Sequence, residues 1–424
     1  MKTVIIGAGF AGIAAAHRLK DNYIILEKEE RPGGLCRTDI VNGFAFDYTG
    51  HFLHLRKPET TDFVLKNSGT KLRKISRKAY IFSHGVYTDY PYQVNNFGLP
   101  GEVVAENIVG FLSAKTKGKE SRNNFLDWID TALGEGIAKN FMVPYNLKLF
   151  RYPLEKLTLE WMGRFVPSPS IDEVMQGIMP KGKGGVGYNA GFYYPEKGGI
   201  ESVVRGLYTG VAQGSKLNAQ VERIDARKKI VYFAGGQESY ETLISTMPLP
   251  ALVRLTGDKK LIKLAKVLKA TSVYCLNVGF KSRKKFNKHW VYVPESKYPF
   301  YRIGFPSEVV AGNAPAGCAS VFTEVSFTGK PPKGIDMKII KGLMDMGIIK
   351  NKRDIVVKHP MILKDAYVIY NRERERVVPV LTRELEKRGI FLAGRWGKWE
   401  YSSMEDAIIE GFEAAEVVLK KINN

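Results

Sequence analysis

The chain has 424 residues, 44% of them apolar, 25% charged and 11% aromatic. That is enough for one large or two to three ordinary domains and excludes disorder, collagen and coiled coil. A formal net charge of +21 points to an anionic partner without naming it, while Cys36, Cys275 and Cys318, with no CxxC and no closely spaced histidine, argue against a disulfide framework or a metal site and for a reducing, cytoplasmic setting.

No apolar run approaches the roughly 20 residues that span a bilayer. Met1-Lys2-Thr3 before apolar Val4 to Ala16 has the outline of a secretory signal, but the glycines inside it mark something else. Val4-Ile5-Ile6 predicts a strand, Gly7-Ala8-Gly9-Phe10-Ala11-Gly12 supplies GxGxxG, and Ile13 to Lys20 predicts a helix. Tyr23-Ile24-Ile25-Leu26 predicts a second strand with Glu27 at its end, 20 residues after Gly7. This is the βαβ arrangement that binds a dinucleotide. Gly7 permits the tight turn, Gly9 admits a pyrophosphate, Gly12 lets helix and strand close up, and the acidic residue takes a ribose diol.

Farther on, Arg31-Pro32-Gly33-Gly34-Leu35-Cys36-Arg37-Thr38 and Gly43-Phe44-Ala45-Phe46-Asp47 resemble the second fingerprint of the FAD-containing amine oxidase superfamily. The resemblance implies that Gly33 and Gly34 lie against the dinucleotide. Residues from about Glu102 to Met162 carry helical periodicity, with Lys115 to Arg122 as the most loop-like stretch. Ser272 to Val368 is richer in β-branched and aromatic alternation. Ile390-Phe391-Leu392-Ala393-Gly394-Arg395 then predicts a buried strand entering a turn, and Met404-Glu405-Asp406-Ala407 opens a long amphipathic helix to about Lys421. The predicted fold class is α/β: a Rossmann-like FAD-binding domain (residues 1–80, 195–255 and 385–424), a helical insert (100–180), and a mainly antiparallel β-sheet domain that holds substrate (81–99 and 256–384).

Six further segments resemble the UDP-galactopyranose mutase family, nearer its eukaryotic type, over nearly the whole length. They are Asp47-Tyr48-Thr49-Gly50-His51, Asp89-Tyr90-Pro91-Tyr92-Gln93, Met142 to Lys148 (MVPYNLK), Val186-Gly187-Tyr188-Asn189 with Pro195 to Gly199, Trp290 to Arg302 (WVYVPESKYPFYR), and Gly394 to Tyr401 (GRWGKWEY). In that family reduced FAD uses its N5 as a nucleophile on the anomeric carbon of a nucleotide-diphosphate sugar, so pyranose and furanose forms interconvert without net redox change. The resemblance implies that His51, beside Gly50, sits against the flavin. It places Arg302 on the diphosphate, where a guanidinium offers a two-pronged fork, with Tyr292, Tyr367 and Tyr401 adding hydroxyls. Tyr90 and Gln93 match positions that contact the nucleotide base, a β-turn around Pro91 being the plainer alternative. Asn146, Phe150 and Asn189 match positions that contact nucleotide or sugar. Arg395 would lie beside the FAD pyrophosphate, Met404 and Glu405 at the flavin pyrimidine edge, and Ser245-Thr246-Met247 near the ring system.

Three positions depart from the family: Phe150 stands for Trp, Phe165 for a second diphosphate-binding Arg with Arg164 next to it, and His54 for an aromatic. The first rival reading is therefore a flavin oxidase or dehydrogenase of the amine oxidase, protoporphyrinogen oxidase or desaturase kind. A second, a nucleic-acid or anionic-membrane binding module, rests on the net charge and on Lys281-Ser282-Arg283-Lys284-Lys285. With basic residues spread along the chain and no nucleic-acid motif, no nucleic acid is expected as partner. NAD(P)H or another reductant, and a homo-oligomer, are left open.

Overall fold

A computed structural model describes residues 2–118, 120–179 and 191–423. At one end, strands Ile390–Leu392, Thr242–Ser245, Thr3–Ile6, Tyr23–Leu26 and Ser215–Lys216 lie side by side in that order, all parallel. Parallel strands need crossovers, and the first is the helix Phe10–Leu19. Its Ala-rich sequence is buried nearly all round because the sheet covers one face and the helix Met404–Asn423 the other. The approach is close enough that a Cβ on Gly411 would stand 2.2 Å from the Ala11 carbonyl oxygen. Strands from both chain ends and the middle thus form one sheet, with an antiparallel ribbon (Val221–Asp225, Ile230–Phe233, Gly236–Ser239) beside it.

The middle of the chain folds first as helices Gly101–Thr116, Phe125–Ile137 and Val143–Phe150, the last two joined by a wide helical turn, Ala138–Met142. Asn124 caps the second by accepting the Asp127 N–H at 2.9 Å. A larger sheet follows, ordered Ile355–Val368, Ala270–Lys281, Cys318–Phe327, Arg302–Gly304, Trp290–Tyr292, Ala79–Ser83, Val86–Asp89. Among the described residues its joins are antiparallel except that Trp290–Tyr292 runs parallel to Ala79–Ser83. The architecture is the mixed α/β class that the sequence predicts. Among the described residues, no helix is long and apolar enough to cross a membrane.

The two sheets are tied by polar groups as well as by core. Arg31 donates to Asp39 at 2.5 Å and to Glu201 at 3.0 Å, and Asp39 in turn meets His359, on the edge strand of the larger sheet, at 2.9 Å. Buried Asp47, just before Tyr48-Thr49-Gly50-His51, accepts from Thr38 Oγ1, Tyr194 OH and the Ile200 N–H. Each carboxylate in this seam has donors, as burial of a charge demands.

Candidate active site

The predicted nucleotide end is built from glycines in tight contact. Gly7 has φ +100°, and a Cβ on Gly12 would stand 2.0 Å from the Gly7 carbonyl oxygen, so only glycine closes this turn. Gly33 donates its N–H to Ala8 O at 2.9 Å, and a Cβ on Gly34 would lie 3.6 Å from Gly9 Cα. The two glycine motifs, 24 residues apart in the chain from Gly9 to Gly33, therefore adjoin at the N-terminus of the helix Phe10–Leu19, where unpaired N–H groups favour an anion. Glu27 accepts from the Ala8 N–H at 2.7 Å and the Glu29 N–H at 3.0 Å. Each oxygen keeps a lone pair for a diol.

The second half of the site is a row across the larger sheet. Tyr292 pairs with Arg302, Arg302 with Glu324, and Glu324 with Cys275. Directly opposed residues share a face, so the register itself delivers these side chains together. Arg302 Nη2 lies 2.5 Å from Glu324 Oε2 and donates to Tyr367 OH at 3.1 Å. Its guanidinium sits 4.2 Å from the Trp290 ring centroid, within cation–π range. Tyr301 donates to the same Glu324 oxygen. Burial works against the Arg302 charge, but Glu324 and the surrounding phenols hold its pKa well above the ordinary value. Burial pushes the Tyr145, Tyr301 and Tyr401 phenols up, which keeps them protonated.

Around this pair stand rings. Tyr367 stacks on Tyr401 with centroids 6.0 Å apart, and the Arg395 guanidinium lies 4.6 Å from the Tyr401 ring. Tyr145 meets Tyr292 edge-on at 5.5 Å, and Tyr90 stacks on Tyr292 at 5.1 Å. Arg77 donates to Tyr292 OH at 3.0 Å and covers the Tyr90 ring at 5.0 Å. Surface grooves of about 860 and 560 Å³ exist elsewhere, but no residue of this cluster lines either.

His51 joins the cluster through Gly50. A Cβ there would stand 2.5 Å from the Trp290 ring, so the glycine lets the histidine segment lie directly on the sheet. Burial, then the Arg302 and Arg395 guanidinium groups, lower the His51 pKa to about 4. The folded protein thus binds fewer protons here than the unfolded chain between about pH 4 and the free-imidazole value of about 6.5. The stabilising contribution is complete above that window and is lost as pH falls through it. The expected result is an imidazole that stays neutral from pH 5 to 8. Nitrogen-15 NMR of labelled histidine checks this, and a His51 midpoint near 6.5 would contradict it.

The structure brings several of the predicted residues together and leaves others apart. Arg302, Tyr292, Tyr367 and Tyr401 come together, with Tyr90 beside them. Phe150 packs edge-on to Trp161 at 5.0 Å and faces Tyr367 at 6.5 Å, while Phe165 sits edge-on to Tyr401 at 4.5 Å. Arg395 is directed to the tyrosine stack, donating to Ser402 O and Ala366 O at 2.9 and 2.7 Å. The Glu405 side chain is spent differently from expectation: it accepts from the Arg56 and Lys57 N–H groups, Arg56 Nε and Thr60 Oγ1, all within 2.8 Å, and so locks residues 56–60 to the last helix. Met404 packs against the apolar core around the helix Phe10–Leu19.

The Asn146 amide turns back to Met142 O at 2.7 Å, and buried Gln93 donates to Met142 Sδ at 3.6 Å within a turn where Val94 and Asn95 donate to Pro91 O. Helix geometry offers Asn146 the carbonyl four residues back, and the Pro91 turn folds Gln93 inward. Gly394, with φ +78°, packs its backbone against Ala11. His54 donates through Nδ1 to Gly191 O at 2.9 Å. Asn189 and the Arg164 side chain lie outside the described residues.

Glu324, Arg77, Tyr145, Trp290 and Tyr301 join the cluster without a role legible in the sequence. A lone carboxylate in the otherwise uncharged strand Cys318–Phe327 was the available signal for Glu324, since a buried charge requires a partner. Several buried polar atoms at the junction of the two halves lack any hydrogen-bond partner: His51 Nδ1, Ser245 Oγ, Trp290 Nε1 and Arg302 Nε. Such atoms occur elsewhere in the fold too, and what distinguishes these is their place at this junction, with Ser245 beside the glycine turn. Together with the open glycine cradle they fit a polar group bound between the halves.

The family model described as flavin containing amine oxidoreductase matches residues 10–419. Over 106 residues the chain is 30% identical to polyamine oxidase 3 of Oryza sativa subsp. japonica, covering 24% of this chain and only 22% of that relative's length. Among solved structures, a reduced UDP-galactopyranose mutase superposes with a TM-score of 0.93 at 28% identity, covering 100% of this chain and 94% of that one. A putative protoporphyrinogen oxidase from Exiguobacterium sp. 255-15 superposes with a TM-score of 0.75 at 18% identity over 99% of both chains, a likeness of fold.

Proposed function

The chain belongs to the flavin containing amine oxidoreductase family, and for a member with this site we propose a flavin-dependent mutase. It would interconvert the pyranose and furanose forms of a nucleotide-diphosphate sugar, of the UDP-galactopyranose and UDP-galactofuranose type. The single observation that carries the reading is the cluster in which Arg302, Tyr292, Tyr367 and Tyr401 converge beside His51, a polar clamp rather than an apolar cavity.

FAD would be held by Gly7, Gly9, Gly12, Gly33, Gly34 and Gly394, with Glu27 on its ribose. When bound and reduced, FAD supplies an electron-rich nitrogen able to displace the nucleotide diphosphate from the anomeric carbon. The rest falls to the chain. Arg302 binds the diphosphate and opposes the charge that develops as it leaves. The protonated Tyr145 and Tyr401 phenols donate, and Tyr367 orients the guanidinium through its 3.1 Å bond. Tyr90 offers a face for base stacking. Neutral His51 can accept or donate one hydrogen bond at Nδ1 without bringing a charge to the flavin. Low solvent access in the cluster strengthens each of these interactions.

One observation favours an oxidase instead: Phe150, Trp161 and Phe165 form an apolar wall against Tyr367 and Tyr401. Two measurements separate the readings. Under the mutase reading, UDP binds the oxidised, flavin-loaded protein with micromolar affinity, and putrescine, spermine and protoporphyrinogen release no hydrogen peroxide. Peroxide release without UDP binding would select the oxidase.

A further inference from the structure

Lys148 lies on the helix Val143–Phe150, one turn from Tyr145 on the same face and two residues before Phe150. Lysines usually carry their ammonium to water. This one turns inward, where Nζ donates to Val293 O at 2.8 Å and to Glu295 O at 3.0 Å. Those carbonyls belong to the loop between strands Trp290–Tyr292 and Arg302–Gly304, the loop that separates Tyr292 from Arg302. Burial lowers the ammonium to about 7, against a favourable contribution from the Glu295 carboxylate. Glu295 meets Lys297 through Oε1 at 3.2 Å, while its Oε2 is buried without a hydrogen-bond partner. The fold therefore bears the cost of burying a lysine at this one junction.

We propose that Lys148 is a positioning residue for the substrate clamp: by holding both carbonyls it fixes the spacing between Tyr145 on the helix and Tyr292 and Arg302 on the hairpin. The inference rests on the mutase reading for its consequence and on the two hydrogen bonds for its geometry. Tyr145 and Tyr292 meet across this junction, and loosening groups that grip the diphosphate alike in ground and transition state raises KM with kcat unchanged.

The test uses the full, flavin-loaded chain with Lys148→Met, which keeps the apolar stem, and Lys148→Arg, which keeps donors. In Lys148→Met, UDP dissociation constant and KM should both rise about tenfold or more, with kcat at saturation within about threefold of wild type. Flavin content should be unchanged, and Lys148→Arg should recover most of the binding. Backbone hydrogen exchange over residues 293–301 should accelerate in Lys148→Met and return toward wild type in Lys148→Arg. UDP affinity and KM within twofold of wild type in the methionine variant would overturn the inference. So would joint loss of kcat and flavin that arginine does not restore, since that marks a merely structural residue. If the wild-type protein neither binds UDP nor converts the sugar, the mutase reading fails by itself. Exchange over 293–301 then decides on Lys148: acceleration reversed by arginine upholds it, and unchanged exchange overturns it.

Discussion

Replacing Arg302 with methionine is expected to lower kcat/KM for the nucleotide sugar by about three orders of magnitude and to weaken UDP binding by a factor of about 30 or more, since removing one partner of a buried hydrogen-bonded charge pair costs about 2–5 kcal/mol. The side chain carries the positive charge at the centre of the clamp, held between Glu324 at 2.5 Å, Tyr367 at 3.1 Å and the Trp290 ring. Lysine should rescue poorly, because a point charge neither forks two phosphate oxygens nor stacks on the indole. The single variant also leaves Glu324 buried without its cation, and such a broken pair destabilises a protein by about 3–5 kcal/mol. Arg302→Met combined with Glu324→Gln removes that penalty. The double variant should regain thermal stability relative to the single one while UDP binding stays lost. Wild-type UDP affinity in the stable double variant would show that Arg302 does not hold the diphosphate.

The next largest effect is expected in the glycine turn, where two neighbouring substitutions should fail for different reasons. In Gly12→Ala the new Cβ would stand 2.0 Å from the Gly7 carbonyl oxygen and 3.3 Å from Ile5 Cγ2. Backbone cannot yield as a flexible side chain can, so the turn opens at a cost of about 1–3 kcal/mol or more. The protein should be colourless and melt lower. In Gly9→Ala the Cβ meets nothing nearer than Gly34 Cα at 3.9 Å, so the apoprotein should melt like the wild-type apoprotein. Yet that methyl fills the gap between the two glycine motifs where the pyrophosphate is proposed to lie. Flavin content should fall about tenfold. Visible absorbance relative to protein absorbance, together with apoprotein melting, separates the two outcomes. A yellow Gly12→Ala protein with unchanged melting would contradict the account of the turn.

What the sequence discloses here is mainly local or tied to a motif. Strand, glycine turn, helix and second strand lie within residues 3–26, and short-range periodicity and steric need set each of them. The C-terminal strand and helix were legible for the same reason. Arg302, Tyr292, Tyr367 and Tyr401 could be grouped only through resemblance, because their meeting depends on the register of separate strands and, for Tyr401, on a segment outside any strand. Glu324 shows the limit: its pairing with Arg302 is fixed by a cross-strand register no local pattern reveals. Arg77 enters because Trp290–Tyr292 pairs, in parallel, with a strand over 200 residues earlier. Glu405, Asn146 and Gln93 show a second limit: the hydrogen-bond partners each side chain finds inside the fold are not written in the motif around it. Only Asn146 turns to a carbonyl of its own helix, four residues back; Gln93 meets the Met142 sulfur and Glu405 meets residues 56–60, both far off in the chain.

Conversion of UDP-galactofuranose, followed by chromatography of the nucleotide sugars, tests the central claim most directly when run once with the flavin oxidised and once after chemical reduction. The account predicts UDP-galactopyranose only from the reduced protein, with no net consumption of reductant. A yellow, folded protein that converts nothing in either state, or that converts equally in both, would contradict it.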